Sequence, residues 1–300
     1  MKNEEYPSVV ERDFDGKVNR MHQIFRASPS DGRYRTVMFA IDHPYFYGPT
    51  TGLEDPRKLM HVFPYADAFS PDLGTLQRLD DTGIQTPFIL RISGGNSILD
   101  KEGLSNEDII VSVEEAAKLN AVGVSVSLYV DSDHRNQTFR NLSNARKRAH
   151  ELGLIVLGIT AVGANLEERT KEQGEGFARY LAHCGGLIQS AGADIVKTYH
   201  CPNFEYVREK IQKRIVIAGG KKTSEREALE YTFNSIRDGA DGVDMGRNIF
   251  QAENPVAMIQ AVRKIVHEGM NAQKAYQFYQ KLSRPQSRED SDMGAGGPGD

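Results

Sequence analysis

Eight short apolar runs rich in β-branched residues, separated by longer polar stretches of helical character, constrain this chain more than any other feature. They are residues 36–41, 66–70, 87–92, 122–128, 154–160, 193–197, 214–218 and 241–245. Runs of this kind suit strands buried on both faces, and parallel strands need crossover connections that are usually helices. Helices are expected from Glu107 to Leu119 after Ser105, from Asn141 to Leu152, from Glu167 to Ala191 and from Ser224 to Asp238. Gly153, Gly192 and Gly239 stand where a helix ends just before the next strand. Eight such repeats predict an α/β fold of the (β/α)8 TIM barrel type. A doubly wound open sheet shows the same alternation, and the count of eight favours the barrel.

A barrel of this type takes roughly 250 residues, so the 300 present suit one domain over 1–283. Residues 15–26 are expected to form an N-terminal helical extension, and 255–283 one or two closing helices. From Arg284 to Asp300 the chain is rich in Gly, Pro, Asp and Ser with little to bury, which predicts a disordered tail.

A net charge of −4 without a long basic cluster gives no electrostatic footprint for nucleic acid. No apolar run reaches the roughly 18 residues of a membrane span, and the start Met1-Lys2-Asn3-Glu4-Glu5 is too polar for a signal peptide. A cytoplasmic protein is the expectation. Cys184 and Cys201 are the only cysteines and lack Cys-x-x-Cys spacing, which predicts reduced thiols and neither a disulfide framework nor a metal site.

Chemistry in such barrels sits at the carboxyl ends of the strands. Lys197 closes the sixth run, Asp194-Ile195-Val196-Lys197. An amine held in apolar surroundings loses its proton readily and attacks a ketone to form an imine; the structural alternative is an ion pair. Asp42 and His43 end the first run. The carboxylate can orient the amine and shuttle protons, and the histidine can titrate near neutral pH; otherwise they cap a turn and bond backbone. Ala218-Gly219-Gly220-Lys221 after the seventh run and Met245-Gly246-Arg247 after the eighth suit a phosphate, because glycines let backbone N–H groups approach an anion and a following helix N-terminus adds its dipole. Ser93 and Asn96 after the third run can bond substrate hydroxyls. Tyr129 after the fourth serves as an acid or as a wall. Cys201 is expected to be a small buried hydrophobe, and His134 and His200 loop residues.

Several longer segments go further. Phe39-Ala40-Ile41-Asp42-His43, Ser93-Gly94-Gly95-Asn96-Ser97, Val196-Lys197-Thr198-Tyr199, Ile217-Ala218-Gly219-Gly220-Lys221-Lys222 and Gly242-Val243-Asp244-Met245-Gly246-Arg247-Asn248 resemble the autoinducer-2 aldolase branch of the archaeal-type class I aldolases, and the resemblance runs from about residue 18 to residue 282. It implies a (β/α)8 barrel with Lys197 as imine-forming residue, Asp42 as its supporting carboxylate, and phosphate at Gly219-Gly220 and Gly246-Arg247. It further implies cleavage of a phosphorylated ketone with acetyl transfer to coenzyme A as co-substrate, no resident cofactor, and a ring-shaped homo-oligomer, commonly a decamer. Pro44 stands where glycine is usual in the family, and no separate coenzyme A motif is present. A class I sugar-phosphate aldolase is the nearest alternative. Its proton donors after the fifth strand are aromatic, whereas this chain reads Gly158-Ile159-Thr160-Ala161-Val162-Gly163. A non-catalytic phosphosugar-binding protein is the alternative of another class.

Overall fold

All eight apolar runs form strands. The computed structural model describes residues 16–100, 103–161 and 175–284. Within them lie β1 (Tyr34–Ile41), β2 (Ala68–Pro71), β3 (Ile89–Arg91), β4 (Gly123–Tyr129), β5 (Ile155–Ala161), β6 (Ile195–Thr198), β7 (Arg214–Ala218) and β8 (Gly242–Met245). The strands pair in parallel in chain order from β3 to β8, and β8 pairs with β1, which pairs with β2. The ring closes where Phe69 bridges Phe88 and donates its N–H to the Pro87 carbonyl at 2.9 Å.

Alternation along these strands divides the side chains. One set, including Val37, Phe39, Val124, Val126, Val156, Val196, Ile215 and Ile217, packs outward against the helices. The other fills the barrel floor, where Met38, Ala68, Ile89, Ile155, Leu157, Ile195 and Val216 form one cluster stoppered by Ile24 and Phe25. Burying each large aliphatic side chain of this floor contributes roughly 1.5–3 kcal/mol. Two residues further along the same strands the inward positions turn polar: Ala40 is followed by Asp42, Ile89 by Arg91, and Ile195 by Lys197. An apolar floor thus carries a charged layer at the carboxyl ends.

The helices follow the expected order with shifted limits. The N-terminal helix is Gly16–Ile24, and the closing segment forms two helices, Pro255–Glu268 and Ala272–Ser283. Gly153, Gly192 and Gly239 have φ of +68°, +89° and +111°, values that a side chain disfavours at a helix end. The helix expected from Asn141 begins six residues earlier, at Arg135, after His134, whose side chain makes no capping bond; its start therefore carries no capping signal.

The helix expected at Glu107–Leu119 is shorter. It spans Val113–Lys118 behind the N-cap Ser112, while Asp108–Ile109 pairs antiparallel with Ser93–Gly94. Pro44–Tyr47, read as loop, makes one helical turn. The expectations for residues 1–15 and 285–300, and for the first part of the 167–191 helix, lie outside the described residues. No helix among the described residues is long and apolar enough to cross a membrane.

Candidate active site

Lys197 points from β6 into the charged layer and leaves only 8% of its surface exposed. Its Nζ lies 2.7 Å from Oδ2 of Asp244, which comes from β8, on the other side of β7. Ser70 Oγ donates to the two Asp244 oxygens at 3.4 and 3.3 Å. Across the barrel Asp42 follows β1, and its Oδ2 lies 3.6 Å from a terminal nitrogen of Arg91 on β3. Lys197, Asp244, Asp42 and Arg91 form the floor of a cavity of about 410 Å³ at the carboxyl end of the barrel.

The setting of Lys197 corrects the apolar environment expected from its strand. Burial pushes its pKa down, but the carboxylates of Asp244 and Asp42 outweigh that and hold it above the ordinary lysine value. The resting amine is therefore an ammonium, and imine formation has to begin with removal of a proton. Burial raises the Asp244 carboxyl above its ordinary value despite Lys197 beside it. Burial acts on Asp42 in the same sense, yet Lys197, His43 and Arg91 together carry it below that value. Two carboxylates face one amine: Asp42 is the fixed anion and Asp244 the readier proton acceptor.

His43 does not titrate near neutral pH as expected. Burial, aided by Arg247, Lys197 and Arg91 against the opposing pull of Asp42, lowers its pKa to about 4. The imidazole is neutral, and its Nδ1 is buried without a hydrogen-bond partner 3.7 Å from Asp42. It packs against Gly246, where an added Cβ would meet the His43 ring at 2.4 Å and the Ala40 carbonyl oxygen at 2.6 Å.

The two glycine-bearing loops meet at the cavity rim. Arg247 donates to the Gly220 carbonyl at 2.8 Å and to the Tyr47 hydroxyl at 3.4 Å, while its Nε is buried without a partner. Asn248 ties the loops together by donating to the carbonyls of Gly219 and Lys221 and accepting from Thr223 N–H. Gly219, Gly220, Lys221, Gly246 and Arg247 all line the cavity and place two cationic side chains at one end of it. The helix after Gly219-Gly220 contributes no free N-terminus. It begins at Glu225 behind Ser224, which forms a capping box with Glu227.

Ser93 and Asn96 do not reach the cavity wall as expected of substrate ligands. Ser93 Oγ donates to Glu107 Oε2 at 2.7 Å and accepts from Ser127 N–H, and Asn96 donates to Glu107 Oε1 at 3.1 Å. Tyr129 does line the cavity, with its hydroxyl 3.5 Å from Glu107. Burial, then the Glu107 charge, raises its phenol well above the ordinary value, which suits a wall better than an acid. Cys201 and Cys184 are buried, in no disulfide, and outside the cavity wall, and His200 bonds Asp238 at 2.8 Å beside the site. Among the described residues no group of three or more His, Cys, Asp or Glu side chains is placed to hold a metal ion.

Sequence reasoning assigned no role to Asp244, Glu107 or Tyr199. Asp244 and Tyr199 had a usable signal, since alternation places them inward, two residues before Gly246 and two after Lys197. Glu107 had none, because it reaches the barrel on the antiparallel excursion after β3 rather than on a barrel strand.

Residues 36–252 match the pattern of the DeoC/LacD family aldolases. Over 268 residues the chain is 41% identical to 3-hydroxy-5-phosphonooxypentane-2,4-dione thiolase of Klebsiella pneumoniae subsp. pneumoniae, covering 89% of this chain and 86% of that one. An uncharacterised aldolase of Pasteurella multocida is also 41% identical over 268 residues, covering 88% and 87%. Among solved structures, a fructose-bisphosphate aldolase from Slackia heliotrinireducens superposes with a TM-score of 0.74 at 18% identity over 89% of each chain. An archaeal fructose 1,6-bisphosphate aldolase gives 0.71 at 21%, covering 84% of this chain and all of the other. At these identities the structural likeness carries the fold alone.

Proposed function

The chain belongs to the DeoC/LacD family of aldolases, and from that premise we propose that it cleaves 3-hydroxy-5-phosphonooxypentane-2,4-dione with coenzyme A as the acetyl acceptor. The observation that carries the reading is the buried Lys197–Asp244 pair on the floor of a cavity whose rim presents Arg247 and Lys221. Cationic side chains and glycine N–H groups at the rim suit a phosphate, and the amine below suits the ketone next to the phosphorylated carbon.

Asp244 takes the proton of the Lys197 ammonium, and the free amine adds to that ketone. The carbinolamine loses water as Asp244 returns its proton to the departing oxygen. Coenzyme A thiolate then attacks the acetyl carbonyl at the other end of the substrate. Cleavage of the bond between that carbonyl and the hydroxylated carbon releases acetyl-CoA and leaves the electron pair in an enamine on Lys197. The proton lost by the thiol balances the one the enamine carbon takes up, and the anionic Asp42 is the group suited to carry it. Hydrolysis of the resulting imine gives dihydroxyacetone phosphate and restores the amine.

The wall beside Lys197, at Ile159, Thr160 and Ala161 of β5, favours this reaction over a retro-aldol cleavage of a sugar phosphate. An acetyl methyl packs against such a surface, whereas a departing sugar aldehyde needs an acid that neither these three residues nor Val162 and Gly163 supply. Incubation with dihydroxyacetone phosphate and borohydride should leave a reduced adduct on Lys197, found by peptide mass spectrometry and absent from Lys197→Met. Cleavage of the dione should then require coenzyme A and yield acetyl-CoA. No adduct in a folded wild-type protein would sink the imine; release of a free aldehyde from a sugar phosphate without coenzyme A would replace the acetyl transfer.

A further inference from the structure

Glu107 is fully buried yet touches none of the cavity surface. Its carboxylate meets Arg91 at 2.7 Å and accepts from Tyr45 at 2.7 Å, Ser93 at 2.7 Å and Asn96 at 3.1 Å, with the Tyr129 hydroxyl at 3.5 Å. Its backbone carbonyl accepts from Gln137 at 2.8 Å and Asn141 at 3.0 Å, both on the helix Arg135–Glu151. A buried charge held by this many partners is costly to build and fixes one geometry.

That geometry concerns Arg91. Its Nε donates to the Ser93 carbonyl at 3.0 Å, one terminal nitrogen faces Glu107, and the other faces Asp42 at 3.6 Å. Glu107 therefore stands one guanidinium away from the reacting layer. We propose that Glu107 is a positioning residue for the Lys197 chemistry: it anchors one edge of Arg91 so that only the other edge serves Asp42, which leaves Asp42 free to face the amine and keeps the two carboxylates unequal. The inference rests on the imine reading given above.

Without the Glu107 charge, Arg91 loses its closest carboxylate, and Asp42 alone is left to balance its charge beside the lysine. The groups facing Lys197 are Asp42 and His43 after β1, Arg91 on β3, Tyr199 after β6 and Asp244 on β8. Added positive charge among them disfavours the ammonium. Trapping by borohydride with dihydroxyacetone phosphate, followed against pH, reads this directly. In Glu107→Gln the midpoint for adduct formation should fall by about one pH unit, and the saturated trapping rate by about tenfold. The concentration for half-saturation should change by less than about twofold, since no phosphate contact is lost. Glu107→Asp keeps the charge and should restore the wild-type midpoint with an intermediate rate.

An unmoved midpoint in folded Glu107→Gln, with a rate within about twofold of wild type, overturns the inference while leaving the imine intact. Should Glu107→Gln not fold, the double variant Gln137→Leu, Asn141→Leu loosens the same segment while keeping the charge, and should lower the saturated trapping rate without moving the midpoint; a wild-type rate there overturns the inference equally. Absence of any adduct in the wild-type protein overturns the imine reading, and this inference with it.

Discussion

Replacing Asp244 with asparagine changes one charge and almost no volume at a position with 1% exposure, so it isolates what the carboxylate does for Lys197. At 2.7 Å and an effective dielectric of about 20, a full ion pair corresponds to roughly 6 kcal/mol, an upper bound on what the ammonium loses. Asparagine returns part of this, because its carbonyl oxygen still accepts a hydrogen bond worth about 1 kcal/mol, and Asp42 keeps its attraction. The expected net effect is a lower Lys197 pKa, because the nearer of its two carboxylates is gone. The sign is fixed by the wild-type state: the folded pKa lies above the ordinary value, so the pair stabilises the fold below that value and the stabilisation is lost as pH rises through the folded one.

A lower pKa alone would make the lysine a better nucleophile at neutral pH. The variant nevertheless loses the group that exchanges protons with the amine and the carbinolamine. Imine formation, measured by rapid quenching into borohydride, should therefore slow by about a hundredfold or more even though its pH midpoint moves down. Circular dichroism and thermal unfolding establish that the barrel is intact. A folded Asp244→Asn protein with a trapping rate within about threefold of wild type would refute the proton-exchange role and shift it to Asp42.

Three further outcomes follow from the same layer. His43 is buried neutral with its pKa lowered from 6.5 to about 4, so stability is complete above the ordinary histidine value and falls by about 3 kcal/mol as pH drops from 6.5 to 4; denaturant titrations of His43→Gln should show a shallower loss over that window. Gly246→Ala forces a methyl against the His43 ring and the Ala40 carbonyl oxygen and should destabilise by about 1–3 kcal/mol, read as a lower Tm; an unchanged Tm would show that the β1 and β8 ends separate freely. Arg247→Met removes a rim cation and should weaken dihydroxyacetone phosphate binding about ten- to a hundredfold, equivalent to a charge-assisted bond of about 1.5–3 kcal/mol; equal affinity for the variant would remove Arg247 from the phosphate site.

Much of the scaffold was legible because two signals repeat along the chain. Apolar runs marked every barrel strand, and glycines at 153, 192 and 239 marked helix ends because the chain there needs a positive φ. Lys197, Asp42, Gly219, Gly220, Gly246 and Arg247 were legible for a related reason, since a strand end in this fold is by its position part of the cavity. Legibility failed where partners are distant in sequence. Glu107 sits before a good N-cap, Ser112, and reads as the start of a helix; only the pairing of Asp108–Ile109 with Ser93–Gly94 turns it into the barrel. The Ser224 capping box is a local pattern, Ser followed three residues later by Glu, but sequence reasoning passed over it and assigned that helix N-terminus to a phosphate.

The sharpest divergence between sequence and structure concerns the state of the lysine, and strand alternation explains it. Ile195 and Lys197 lie on the same face of β6, so the apolar residue belongs to the floor and the lysine to the layer above it. The apolar run that makes Lys197 conspicuous therefore describes what lies beneath and behind it, not what surrounds its amine. Strands elsewhere around the ring, β1, β3 and β8, supply Asp42, Arg91 and Asp244 to the same layer. An amine surrounded in this way is charged at rest, so the site needs a proton acceptor in contact with it and a second carboxylate that stays ionised while the first takes up the proton. Asp244 and Asp42, shifted in opposite directions by their surroundings, meet those two requirements.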